Sequence, residues 1–200
     1  MVARLFVIGY PDRLVADHRA LLHSARVAGF EAKLVSPSSL SLVVDTNRID
    51  VLVDGRPVQP DVVIPRGMNR PWPFVAQVLE EWAQRGALIV PSVRAADMCA
   101  DKLRTSRMLA EAGVPVVPSV GIAPGPDNHF GEILGSGTVI AKPARASKGR
   151  GIERYENSML AESGMKSSRP LVAGMVDHHV MQPLASGSGI DYRVVVAERG

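Results

Sequence analysis

A single cysteine, Cys99, stands in 200 residues, so no internal disulfide can form, and no Cys/His group has zinc-ligand spacing. A reducing cytoplasm is the expected setting. Aromatic residues make up only 4% of the chain, and none is interleaved with clustered Arg or Lys as a single-strand-binding surface would require. Charge of one sign is also scarce: 23 Lys and Arg face 20 Asp and Glu, a formal net charge of +3. That field is too weak to indicate nucleic acid. No run approaches the roughly 18 apolar residues of a membrane span. The apolar start, Val2 to Gly9, leads directly into the charged stretch Asp12 to Arg19 and reads as a strand, not a signal peptide. Neither nucleic acid nor membrane is an expected partner.

What is present is an ordinary globular balance, 46% hydrophobic and 22% charged. Residues 2–9 form a β-rich run, and Leu14, Leu21, Leu22, Ala25 and Ala28 then recur near helical spacing until Gly29 ends the segment. Ala32 to Val35 completes a strand–helix–strand unit, followed by polar turn residues from Ser36 to Ser41. Asp54-Gly55 between Ile49–Val53 and Pro57-Val58 predicts a hairpin, because that dipeptide suits the turn that matches strand twist. A strand at Val62–Ile64, a helical face of Val75, Val78, Leu79 and Trp82, and a strand at Leu88–Val90 extend the alternation. The fold class is therefore α/β, with a largely parallel sheet in the first part. The first βα turn is Gly9-Tyr10-Pro11-Asp12, with no G-x-G-x-x-G, so a dinucleotide fingerprint is absent.

A second unit is predicted from about Ser92, opening with a helix to Ala112 that Gly113 and Pro115 close. Val116, Val117 and Val120 read as a strand, Pro124 to Asn128 as a loop, and Thr138 to Ala141 as a strand. A Gly-containing loop at 144–151, a polar segment, a strand Val180–Gln182, a Gly/Ser loop at 185–189 and a strand Tyr192–Ala197 follow.

Lys142 ends the apolar run Val139-Ile140-Ala141 and precedes Ser147-Lys148-Gly149-Arg150-Gly151. A lysine there can set its ammonium against phosphate while a glycine loop brings backbone N–H groups to the same anion. Taken alone, such a lysine is more often a solvated strand end. The loop is not a Walker A sequence. Lys102, with Arg104 and Arg107 near it, reads either as a second phosphate-directed lysine or as part of a basic solvent face. Asp191 and Arg193 share a strand face as site residues or as an exposed ion pair. Adjacent His178 and His179 point to opposite sides of a strand and do not share a metal.

The order and spacing of these features together resemble the ATP-grasp superfamily, nearest its RimK-like and LysX-type branch of carboxylate-amine ligases. The motifs carrying the resemblance are Asp101-Lys102, Gly113-Val114-Pro115, Val139 to Pro143, Gly149-Arg150-Gly151-Ile152, Val180 to Leu184 and Asp191-Tyr192-Arg193, across roughly residues 60–200. The first sixty residues resemble that family's N-terminal domain only in their α/β alternation. The resemblance implies a Rossmann-like N-terminal domain over 1–92, a first ATP-grasp subdomain over 93–184, and the start of an incomplete second one over 185–200.

It further implies that Lys102 and Lys142 reach the phosphates and adenine edge of ATP, and that the loop with Ser147, Lys148, Gly149 and Gly151 closes over the phosphates. Gln182, Pro183 and Leu184 match the adenine-reading hinge; Pro183 has no N–H to offer, which leaves that of Leu184. Asp191 is implied near the ribose and Arg193 at the reaction centre. Arg66, at a strand end, is expected either to hold a substrate carboxylate bidentately or to lie on the surface.

The family's magnesium ligands follow the Asp-x-Arg strand, so the chain is expected to be an N-terminal part that lacks them. The implied activity is ATP-dependent joining of a carboxylate to an amine through an acyl phosphate, in a homo-oligomer. The alternative is a non-catalytic nucleotide-binding module.

Overall fold

Strand–helix alternation in the first half builds a parallel sheet. In chain order, β1 (Arg4–Ile8), α1 (Val15–Val27) and β2 (Glu31–Val35) are followed by β3 (Leu40–Asp45), β4 (Arg48–Val53) and β5 (Arg56–Pro57). Then come β6 (Val62–Pro65), α2 (Trp72–Gln84) and β7 (Leu88–Ile89). The parallel sheet has the order β2-β1-β6-β7, and β3-β4-β5 form a separate antiparallel sheet. This computed structural model describes residues 2–13, 15–66, 72–123, 130–146, 149–167 and 178–185. It divides into two units, Met1–Asp97 and Met98–Gly200.

The central strand β1 reads Leu5-Phe6-Val7-Ile8 without a polar residue because both its faces are covered. Leu5 and Val7 pack with Ala25 of α1 and Ala32, whereas Phe6 and Ile8 meet Val75, Val78, Leu79 and Trp82 of α2 together with Val51 and Val53 of β4. Trp82 is fully buried; its indole N–H donates to the Val58 carbonyl at 2.9 Å, and its ring meets Phe6 edge-on at 5.9 Å.

The predicted Asp54-Gly55 hairpin turn is present, with φ of 51° and 75° at its two central residues. The polar turn expected over Ser36 to Ser41 is shorter than its composition suggests. A 3-10 turn covers Pro37–Ser39, and Leu40 already begins β3, where its side chain is buried in the core.

Beneath the β1 terminus, His18 is buried and neither ring nitrogen has a hydrogen-bond partner. Gly9 allows this close approach, since a Cβ there would lie 2.5 Å from His18 Nε2. Gly9→Ala is therefore expected to destabilise by about 1–3 kcal/mol, as overpacking does. Thermal melts of Gly9→Ala and of the Gly9→Ala/His18→Ala pair check it: the double variant recovers stability relative to the single one.

The second unit contains α4 (Lys102–Glu111), β8 (Val120–Ile122), α5 (Gly131–Leu134), β9 (Val139–Pro143), β10 (Glu153–Tyr155), α6 (Ser158–Ser167) and β11 (His179–Pro183); α3 (Val93–Ala100) precedes α4. Its sheet is antiparallel, in the order β10-β9-β11-β8. Val139, Ala141 and Met181 face a core completed by Phe130, Leu134, Ala161 and Met165 of the α5–α6 region.

The single helix predicted from Ser92 to Ala112 is two helices. Asp101 interrupts it in an extended conformation, φ −112° and ψ 115°, and its carboxylate accepts from the N–H groups of Leu103 and Arg104 to start α4. Val116 and Val117, expected in a strand, are exposed and precede it; β8 begins at Val120. The polar segment after the glycine loop hides β10 and α6. The predicted loop at Pro124 to Asn128 and strand at Tyr192 to Ala197 lie outside the described residues.

His179 is buried and its Nδ1 has no partner. Burial holds its pKa below the ordinary 6.5; Glu153 opposes this shift and His178 adds to it. Between the lowered folded value and 6.5 the unfolded chain binds more protons, so stability falls as pH drops through that window. His179→Leu is expected to flatten the acid side of the stability–pH profile, measured by denaturant unfolding from pH 7 down to pH 5.

Candidate functional site

Antiparallel pairing of β9 with β11 sets Lys142 opposite Val180 and Ile140 opposite Gln182. Because successive strand residues alternate faces, these four share the face away from the α5–α6 core. Gly121 of β8 lies on the same face, opposite Val180. There Leu103 of α4 comes so close that a Cβ on Gly121 would sit 2.2 Å from its Cδ2. Helix α4 thus packs on one end of the face that carries Lys142.

The Lys142 ammonium donates to Gln182 Oε1 at 2.7 Å, and Gln182 Nε2 donates to Ser119 Oγ at 2.7 Å. The Ser119 hydroxyl donates onward to the Val117 carbonyl at 2.8 Å. This chain fixes the amide orientation of Gln182 and holds the lysine head across the sheet face.

Lys102 lies with its ammonium against backbone carbonyls. Its Nζ donates to the carbonyls of Pro143, Ala144 and Ala146 at 2.9, 3.3 and 2.7 Å, and its own N–H bonds the Ala144 carbonyl at 3.1 Å. It therefore ties the start of α4 to the segment that leaves β9. Burial, and then the charge of Lys142, push its pKa below the ordinary lysine value, while Asp101 raises it. Three acceptors around one nitrogen need three N–H donors, so the ammonium form is the one held here.

Asp101 is 3% exposed and lies 3.6 Å from Arg145 Nε and 3.7 Å from His178 Nε2. Helix start, lysine clamp and loop root thus converge at one point.

Gly149 and Gly151 both have φ of 70°, and a Cβ on Gly151 would sit 2.8 Å from Pro143 Cγ. These are turn positions that only glycine fills without strain. Ser147 and Lys148 of the loop, and Asp191 and Arg193 beyond the hinge, lie outside the described residues.

The hinge differs from its expectation. Pro183 pairs with Val139 in the sheet, and the Leu184 N–H, expected to be open to a ligand, is bonded to the Thr138 carbonyl at 2.8 Å. Extension of the β9–β11 ladder by one more residue takes up that donor.

Arg66 belongs to the first unit, at the carboxyl end of β6. Its guanidinium donates to Asp17 of α1 at 2.7 Å, and both side chains are half exposed. Asp17, Ser119 and the side-chain role of Gln182 were not singled out from sequence, and Asp101 was read only as part of the Asp101-Lys102 motif, not as a helix cap. A signal existed only for Asp101, an N-cap residue type before a helical run.

No family model matches the sequence, and no curated protein does. Solved structures do. A RimK domain ATP-grasp protein from Sphaerobacter thermophilus DSM 20745 superposes with a TM-score of 0.66 at 22% identity, over 93% of this chain and 65% of that one. The ATP-grasp ligase PsnB, complexed with a minimal precursor, gives 0.60 at 21% identity over 94% and 66%. D-cycloserine synthetase DcsG gives 0.62 at 21% identity over 90% and 59%.

The chain has the ATP-grasp fold. It spans 59–66% of the length of these proteins.

The residues present fit the phosphate part of ATP in their chemistry: a partly buried lysine ammonium on the β9–β11 face, and a glycine turn that follows the same strand. Among the described residues no group of three His, Cys, Asp or Glu side chains is suited to a metal.

Proposed function

We propose that this chain is the ATP-holding part of an ATP-dependent carboxylate-amine ligase. In that reaction a carboxylate oxygen attacks the γ-phosphorus of ATP, forming an acyl phosphate and releasing ADP. An amine then attacks the acyl carbon, the C–O bond to phosphate breaks, and an amide and inorganic phosphate result. The observation that carries the reading is Lys142 on the sheet face beside the Gly149–Gly151 turn, with its head held by Gln182 at 2.7 Å. Such a site contributes by positioning and charge stabilisation. The ligases and the synthetase among the solved neighbours support it, as does PsnB, whose complex with a phosphomimetic precursor variant also contains Mg and ADP.

In this reading Lys142 and Gln182 meet the nucleotide, Ser147 to Gly151 cover the phosphates, Asp191 lies near the ribose and Arg193 at the reacting carboxylate. Lys102 acts first as a clamp on the loop root. Arg66 takes a substrate carboxylate by exchanging it for Asp17. Residues 1–92, 93–184 and 185–200 form the N-terminal domain, the first ATP-grasp subdomain and the beginning of the second. The whole enzyme is a cytoplasmic homo-oligomer. Release of ADP by the full-length protein on addition of an amino-acid panel tests the reaction; no release across the panel rejects it.

A second reading, a nucleotide-binding module without turnover, is favoured by one observation. The hinge N–H that would read adenine is bonded within the sheet at 2.8 Å. ATP binding without ADP release in the full-length protein identifies that case.

A further inference from the structure

The edge of the small antiparallel sheet is built for pairing. Among the described residues β3 pairs only with β4, in an unbroken register from Leu40↔Val53 to Asp45↔Arg48. The strand reads Leu-Ser-Leu-Val-Val-Asp, with no proline, lysine or bulge to blunt the edge and a single charge, Asp45, at its end. Its tip carries an uncovered apolar pair, Val44 at 69% and Ile49 at 39% exposure, directly opposite each other.

Backbone phase shows which groups point outward. Thr46-Asn47 form a two-residue turn, so the flanking pair Asp45↔Arg48 is hydrogen-bonded, and bonded and non-bonded pairs alternate from there. Ser41 and Val43 therefore direct their N–H and C=O groups at β4. Two observed bonds fix the same phase independently: Asp54 N–H to the Ser39 carbonyl at 3.0 Å, and Val58 N–H to the Val51 carbonyl at 3.2 Å. Leu42 and Val44 direct theirs away from β4. The outward N–H of Leu40 is occupied by the Pro37 carbonyl.

We propose that β3 is a self-pairing edge, on which a second copy of this chain adds its own β3 antiparallel, with the two-fold axis at Val43. This register alone pairs both the N–H and the C=O of Leu42 with those of Val44 from the other copy, and of Val44 with those of Leu42. A shift of two residues either way brings in Leu40, whose N–H is taken, or the turn residue Thr46. Side chains agree with the backbone. Val44 meets Leu42 of the other copy on the apolar face, beside Ile49, and Asp45 meets a Ser41 hydroxyl on the polar face, with no like charges opposed.

A symmetric contact of this kind is isologous and closed. A strand pair of this length buries less than the roughly 1,200 Å² of a stable interface. The dimer is accordingly concentration-dependent.

Sedimentation velocity of the 200-residue chain over a hundredfold concentration range tests the association. Val44→Lys, at an exposed position, is expected to remove the dimer while leaving the melting curve unchanged at concentrations where the wild type is monomeric. A Cys99→Ser chain with Val43→Cys is expected to form a disulfide dimer on mild oxidation, because Val43 faces its own copy in a closely spaced non-bonded pair. Arg56→Cys on the opposite edge does not. A chain that stays monomeric throughout and fails to cross-link at Val43, or a dimer indifferent to Val44→Lys, overturns the proposal.

Discussion

Lys142→Ala is expected to weaken ATP binding by about 10- to 100-fold, the loss that follows removal of one or two hydrogen bonds from a charged donor. The side chain lies on the sheet face with its ammonium 2.7 Å from Gln182 Oε1, and Gln182 is anchored in turn on Ser119 at 2.7 Å. Lysine at this point is held ready by a neutral acceptor rather than by a carboxylate, so its charge is not cancelled where a phosphate would approach. A comparison with Gln182→Glu sharpens the expectation. A carboxylate there pairs with Lys142 and opposes the polyphosphate, so that variant also binds more weakly although every lysine remains. Titration calorimetry of wild type, Lys142→Ala and Gln182→Glu with ATP checks both. Equal affinities in all three would sink the proposed nucleotide site.

The parallel sheet of the first unit was legible because its strands are continuous apolar runs and its helices have a clear apolar stripe. Leu5 to Ile8 and Val75 to Trp82 carry their structure in their spacing. The Asp54-Gly55 turn was legible because its positive φ angles restrict the residue types. Strand β3 was not, since three serines from Ser36 to Ser39 and another at Ser41 mask the alternation that begins with the buried Leu40. Nor was the break at Asp101: helical periodicity runs through it, and only the side chain's choice to bond two backbone N–H groups divides the segment.

In the site, Lys142 and the glycine turn were readable from local order. Three arrangements were not, because they depend on tertiary register. These are the capture of Lys102 by carbonyls about forty residues away, the Arg66–Asp17 pair, and the use of the Leu184 N–H by Thr138.

Asp101→Ala is expected to be the most destabilising single change in the second unit's site, and Asp101→Asn much milder. The carboxylate accepts from Leu103 and Arg104 N–H at 3.0 and 3.1 Å, is 3% exposed, and has Arg145 at 3.6 Å and His178 at 3.7 Å. Alanine removes the cap, worth about 1–2 kcal/mol, and leaves Arg145 without its buried counter-charge. Asparagine keeps the cap, since its side-chain oxygen accepts the same N–H groups, and loses only the charge.

The separation has a functional consequence as well. Lys102 begins the helix that Asp101 caps, and its ammonium holds the carbonyls at the root of the glycine loop. Fraying α4 therefore releases the loop root, and Asp101→Ala loses ATP affinity together with stability. Asp101→Asn holds the clamp and binds ATP within a few-fold of wild type. Thermal melts should show a fall of roughly 4–8 °C per kcal/mol lost in a unit of this size. If asparagine is as destabilising as alanine, the charge of Asp101, not its capping geometry, holds the start of α4 in place.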